Sequence, residues 1–229
     1  MDYRQIPKNQ VESAMRNYQQ EILAIVAVLC CVSLPACNNY GLADQLETPG
    51  KTQGLGSGFT LVNTIFVTQA TFNGNLGGVA GADNLCRNDA ANPMGSGNGF
   101  WKALISMAGA RVACTTSDCS GSGAAEHLDW VLKANTPYTR ADGTPIGATN
   151  ANGVFVGTLA NSVATNAVVV FTGLTSNWVV AGDNCSGWSS PSIGFNGQTG
   201  LGDQTGILWF SNTANGCDVP SKALYCVQQ

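Results

Sequence analysis

Along the chain, large apolar residues come in short runs separated by Gly and Asn clusters, and few of them keep one period for long. Residues 59–68, with Phe59, Val62, Ile65, Phe66 and Val67, are rich in aromatic and β-branched side chains and predict a strand. Gly74, Gly77 and Gly78 follow, where positive φ is cheap, and predict a turn. Residues 82–90 predict a short helix, and Phe100, Ala103, Leu104 and Met107 recur at helical spacing and predict a second. Beyond them the apolar runs at 130–132, 154–159, 168–171, 178–180, 207–210 and 223–227 predict strands. Two early helices followed by many short strands indicate an α+β fold, with a mostly antiparallel sheet and long Gly- and Asn-rich loops.

The N-terminal stretch has a different pattern. Residues 22–36 form one apolar run, preceded by Lys8 and Arg16 and ending in Leu34, Pro35, Ala36 and Cys37. That length suits a signal-peptide core better than a membrane span, which needs about 20 apolar residues. A small residue directly before a cysteine is what a lipoprotein signal peptidase requires, so residues 1–36 read as a lipoprotein signal peptide and Cys37 as the lipidated residue. Met15 is an alternative start. Pro35 fits the lipobox loosely, and ordinary cleavage to a soluble exported protein is the rival reading. Residues 37–58 hold almost no large apolar side chains and read as a flexible tether, because such a stretch cannot bury enough surface to offset its ordering entropy. The folded domain is then 59–229.

Composition narrows the function. The chain of 229 residues has a net charge of -4, and its basic residues are scattered singly, so no cationic surface for nucleic acid is expected. His127 is the sole imidazole. With Asp129 it could serve a Ser-His-Asp hydrolase, but no Gly-x-Ser-x-Gly elbow presents a serine, and an ordinary surface or loop histidine is the bland reading. Glu47 and Glu126 are the only glutamates after Cys37, which leaves little for a glycosidase pair. Asp183 and Asp203 are candidates for calcium, with turn formation the simpler role. Gly95, Gly97 and Gly99 resemble a phosphate loop but lack the lysine ending. The expectation is therefore a non-catalytic protein without cofactor or metal.

Cysteines carry the strongest signal. Of nine, Cys30 and Cys31 leave with the signal peptide and Cys37 takes the lipid. The remaining Cys86, Cys114, Cys119, Cys185, Cys217 and Cys226 make an even set, which in an exported chain points to disulfides, although spacing leaves many pairings open. Cys114 and Cys119 flank only four residues and pair most simply with each other. Nesting of the other four, Cys86 with Cys226 around Cys185 with Cys217, is one arrangement. A zinc site is disfavoured by the absence of a paired CxxC.

Ile65, Phe66 and Val67, then the run from Gly74 to Asp83, Cys86, and the run from Phe100 to Ser106 together resemble the opening of endostatin. Cys185, Ser186, Gly187 and Trp188, a glycine-rich stretch, Cys217, and the run from Leu224 to Val227 resemble its close. The style is nearest to the leptospiral endostatin-like lipoproteins, with Asp129 to Leu132 and Thr149 to Gly153 also similar. The resemblance spans nearly all of 59–229. It implies a C-type-lectin-like fold with bridges Cys86–Cys226 and Cys185–Cys217, to which Cys114–Cys119 is additional. It also implies a surface lipoprotein that binds host laminin, fibronectin or the complement regulator factor H. Endostatin's arginine cluster is reduced here to Arg87, Arg111 and Arg140 in the domain, and its N-terminal histidines have no counterpart, so heparin and zinc are not expected partners. The sugar-and-calcium motifs of C-type lectins are also missing.

No ligand-binding residue can be named from this pattern. Trp101, Trp130, Trp178, Trp188 and Trp209 read mostly as core, and residues 189–216 read as a long glycine-rich connection suited to recognition. The expected function is a surface adhesin or complement-evasion module. A structural envelope lipoprotein without host ligand is the alternative, and a hydrolase of unrecognised type the second.

Overall fold

The structure is a computed structural model that describes residues 62–229. The expected signal peptide 1–36, the expected lipidation site Cys37, the expected tether 37–58 and the start of the first predicted strand lie outside the described residues. The described part is a mixed α+β fold with three disulfides. Its strands are β1 (Asn63–Val67), β2 (Trp101–Ala103), β3 (Pro137–Thr139), β4 (Pro145–Ala148), β5 (Val169–Phe171), β6 (Asn196–Leu201), β7 (Ala214–Gly216) and β8 (Ala223–Gln228). They form one sheet in the order β4-β3-β1-β8-β5-β6-β7, with β2 also paired to β8. Pairing is antiparallel except for β1 with β3 and β5 with β8.

β8 sits in the middle because both its faces are apolar. Ala223, Tyr225 and Val227 point into one hydrophobic cluster, and Leu224 and Cys226 into another on the opposite face. A strand covered on both sides reads as a continuous apolar run rather than an alternation. β1 divides likewise, with Ile65 and Val67 toward the first cluster and Phe66 toward the second. On the second face lies α1 (Gly78–Asn88), whose Ala82 and Cys86 are buried one turn apart. The buried Asp89 carboxylate at its end accepts from the backbone N–H groups of Gln69, Ala70 and Ala91, tying the helix exit to the exit of β1.

Several predicted elements differ. The second helix, expected around Phe100 to Met107, is strand β2: Trp101 and Ala103 are buried, Lys102 is half-buried, and all three residues pair with β8 from Gln228 to Cys226. β5 occupies that edge of β8 only at Ala223 and Leu224, and the ladder groups beyond it take β2. A helix there would leave these groups unpaired in the core. The runs at 130–132 and 154–159 are irregular, the first half-buried at Trp130 and buried at Val131 and Leu132, the second buried at Val154, Phe155 and Leu159 but exposed at 156–158, and that at 178–180 makes only isolated bridges. The run at 207–210 holds the 3-10 turn Ile207–Trp209. Burial of Val131, Leu132, Val154, Phe155, Leu159, Trp178, Trp209 and Phe210 explains part of their composition without requiring a ladder, while Val156, Ile207 and Leu208 stay exposed. The strands β3, β4, β6 and β7 were not expected, since prolines, glycines and polar residues fill them. In β6, Gly197 faces the Phe171 ring and Cys185 Sγ, where a Cβ would stand 2.8 and 2.9 Å away, so the absence of a side chain is what lets the strand dock.

Candidate binding surface

Disulfides frame this surface. Cys86–Cys226 joins α1 to β8, Cys185–Cys217 spans 32 residues, and Cys114–Cys119 closes a tight loop. Cys185 begins a four-residue helical turn, Cys185–Trp188, in which Ser186 and Gly187 are left-handed, and the Asn184 side chain accepts from Gly187 N–H. Trp188 drops into the core from this turn and donates its indole N–H to the Ser106 carbonyl at 3.0 Å.

Residues 189–216 are not one long connection. They contain β6, the turn Ile207–Trp209 and β7, so only 189–195 and 202–213 lie outside the ladder. These loops nevertheless leave apolar side chains in solvent: Ile193 is 84% exposed, and Phe195, Ile207 and Leu208 are also exposed. Val219 joins Ile193 and Phe195, because Cys217 N–H donates to the Phe195 carbonyl at 3.0 Å and draws the two segments together, whereas Ile207 and Leu208 sit on the loop at the other end of the β6–β7 ladder. The scaffold beneath is stiff. Trp209 and Phe210 are buried, the Phe210 ring stacks on Trp178 with centroids 4.0 Å apart, and Tyr225 Oη donates to the Trp209 carbonyl at 2.8 Å. Trp101, Trp178, Trp188 and Trp209 are buried and Trp130 half-buried, so aliphatic and phenyl groups, not indoles, supply the exposed apolar area.

His127 and Asp129 are not brought together as a pair. The imidazole Nε2 lies 3.8 Å from Cys119 Sγ and its ring packs edge-on against Trp130. Burial lowers its pKa, opposed by the Asn152 backbone and the nearby Glu126 charge. The Glu126 carboxylate is fully used: it accepts from Thr115 and Thr116, both backbone and hydroxyl, and from Gly121 and Ser122 N–H. Those bonds outweigh desolvation and hold the group far below the ordinary carboxylate range. It is the clamp of the Cys114–Cys119 loop.

Asp129 turns toward Arg111 and Lys102 instead. Arg111 is enclosed, and its guanidinium donates to both Asp83 oxygens at 2.7 and 2.8 Å, to Asp129 Oδ2 at 2.6 Å and to the Ala103 carbonyl at 2.8 Å. Sequence reading missed this centre: nothing local distinguishes Arg111 from Arg87 or Arg140. Asp183 and Asp203 do not converge. The Asp183 carbonyl accepts from Gln198 N–H, and the Asp203 carboxylate accepts from the neighbouring Gln204 amide. Gly95, Gly97 and Gly99 have positive φ in a loop organised by Asn92, whose amide donates to the carbonyls of Arg87 and Asn98. Among the described residues no group of three His, Cys, Asp or Glu side chains could hold a metal ion, and no helix is long and apolar enough to cross a membrane.

A family model described as a protein of unknown function (DUF1554) matches residues 69–205. No curated protein matches the chain.

Proposed function

Because the chain belongs to the DUF1554 family, whose function is unknown, we propose that it is a non-catalytic binding module, exported and held at the bacterial surface by a lipid on Cys37. In this reading the domain is endostatin-like, of the C-type-lectin-like class, and its partner is a host matrix protein such as laminin or fibronectin, or the complement regulator factor H. The nested bridges Cys86–Cys226 and Cys185–Cys217 agree with the pairing that the endostatin resemblance implies.

The observation that carries the proposal is the exposure of Ile193, Phe195 and Val219 at one end of the β6–β7 ladder, on segments pinned by the Cys185–Cys217 disulfide. Apolar side chains held in solvent by a rigid frame cost little ordering entropy when a protein covers them, which favours affinity. The Gln, Asn and Ser side chains around them suit the wet, polar rim of such an interface.

The test is a binding screen of the oxidised chain against laminin, fibronectin and factor H, repeated with the double variant Ile193→Ser/Phe195→Ser. Saturable binding to one of them, weakened about tenfold or more in the variant, is expected. Absence of binding to all three removes the host-partner reading, and unchanged binding in the variant removes this surface. Protease treatment of intact cells should also clip the domain; full protection would rule out surface display.

A further inference from the structure

A second site lies away from the loops just described. Between α1 and β2 runs a groove of about 520 Å³ whose walls include Ala80, Arg87, Gly99, Phe100, Trp101 and Lys102. Pockets of this size hold a few side chains of a ligand. Trp101 forms part of its wall, buried and packed edge-on against Phe66 with centroids 4.9 Å apart. Its indole Nε1 is buried and has no hydrogen-bond acceptor among the described residues, whereas the indoles of Trp130, Trp178 and Trp188 each reach a carbonyl. A buried donor without a partner is costly, so native proteins rarely keep one that nothing ever satisfies.

Nε1 faces Gly99. A Cβ at that position would stand 2.7 Å from it, and would also strike the thioether of Met94, a half-exposed side chain on a loop. The bare glycine therefore leaves the space beside the indole N–H to the thioether of Met94, whose movement would widen the approach to it. Besides Arg87 and Lys102 the groove is lined by Asp83 and by Gln229, whose N–H donates to the Phe100 carbonyl at 2.9 Å, and these groups differ in whether they are already paired. Asp83 is bound by Arg111, and Lys102 by Asp129, while Arg87 pairs with no carboxylate among the described residues and donates only to the Asn84 side chain at 2.9 Å. Phe100, 82% exposed, stands on the rim.

We propose that this groove takes a peptide carboxylate flanked by an apolar side chain: the carboxylate accepts from Trp101 Nε1–H and pairs with the Arg87 guanidinium, and the apolar neighbour lies on Phe100. An acceptor that also carries charge satisfies the orphan donor and the unpaired cation together. A neutral acceptor would satisfy one of them.

The experiment titrates the oxidised chain, labelled with nitrogen-15, with N-acetyl-leucyl-phenylalanine as the free acid, and in parallel with its C-terminal amide and with sodium glucuronate. The Trp101 indole cross-peak, assigned by its loss in Trp101→Phe, is expected to move downfield with the free acid and to saturate in roughly the millimolar range. The amide should bind about tenfold more weakly, and Arg87→Gln, an exposed change that leaves the core intact, should weaken the acid by a similar factor. An unmoved Trp101 peak, equal binding of acid and amide, no effect of Arg87→Gln, or glucuronate binding as well as the peptide would each overturn the proposal. The Ile193→Ser/Phe195→Ser variant should titrate like the parent, which separates failure of this site from failure of the loop surface.

Discussion

At the scale of single residues, the contrast between Arg111 and Lys102 shows how burial sets the worth of an ion pair. The Arg111 side chain is 1% exposed and its bidentate partner Asp83 is 22% exposed, so removing Asp83 takes two charge-assisted hydrogen bonds from an enclosed cation and leaves it only the partly exposed Asp129 as counter-charge among the described residues. Asp83 also accepts the Ala103 N–H of β2. We expect Asp83→Ala to cost about 3 kcal/mol or more in urea unfolding. The Lys102–Asp129 pair, with side chains 33% and 38% exposed, is screened by water, and Lys102→Ala should cost less than about 1 kcal/mol. Equal losses for the two would show that Arg111 is better solvated than its enclosure implies. Asp129 also takes a left-handed backbone, φ 47°, which its contacts with Arg111 hold in place.

Among elements, β2 and β6 are the informative ones. The helical spacing of Phe100, Ala103, Leu104 and Met107 is real, yet β2 is extended because β8 offers it a ladder edge that no local pattern reveals. β6 has no apolar alternation to read, and it exists because β5 and β7 flank it and Gly197 fits under Phe171. By the same logic the longest bridge matters most to the element it fastens. Cys86–Cys226 separates its ends by 140 residues, Cys114–Cys119 by 5; in the chain-entropy model the first is worth about 5 kcal/mol and the second about 2. Cys86→Ser/Cys226→Ser should therefore lower the melting temperature more than Cys114→Ser/Cys119→Ser, read by calorimetry. The reverse order would mean that Glu126's loop, not the α1–β8 seam, limits stability. Substituting Gly197 with Val should also destabilise, by more than about 1 kcal/mol, since neither the disulfide nor Phe171 can retreat.

For the whole molecule, the groups that titrate below neutral pH push stability in one direction. Burial favours neutral His127 in the folded state, so its contribution is complete above the ordinary value of 6.5 and is lost as pH falls through the lower folded value. Glu126 and Asp129 are held ionised against desolvation, the first by its six hydrogen bonds and the second by Lys102 and Arg111; their contributions are present above the ordinary 4.5 and 3.8 and fade as pH falls further. Each group binds fewer protons folded than unfolded. Stability should consequently decline on acidification from pH 7 to 3, and Glu126→Gln should flatten the part below pH 4.5, measured by denaturant midpoints across that range. A midpoint that rose on acidification would contradict all three assignments.

What the sequence determined by itself was local or covalent in kind: an even set of six domain cysteines, a strand at 223–227 written in unbroken apolar residues, a helix over most of α1, and tryptophans that belong inside. Each follows from composition within a few positions, because side-chain transfer from water depends on the residue and its immediate period. The tertiary structure decided the rest: β2 as strand, the polar strands β3, β4, β6 and β7, the enclosure of Arg111 between Asp83 and Asp129, and the groove where Trp101 Nε1 lacks an acceptor. Those features depend on which distant backbone or carboxylate arrives alongside, and a hydrogen bond made across a hundred residues leaves no periodic trace at either end.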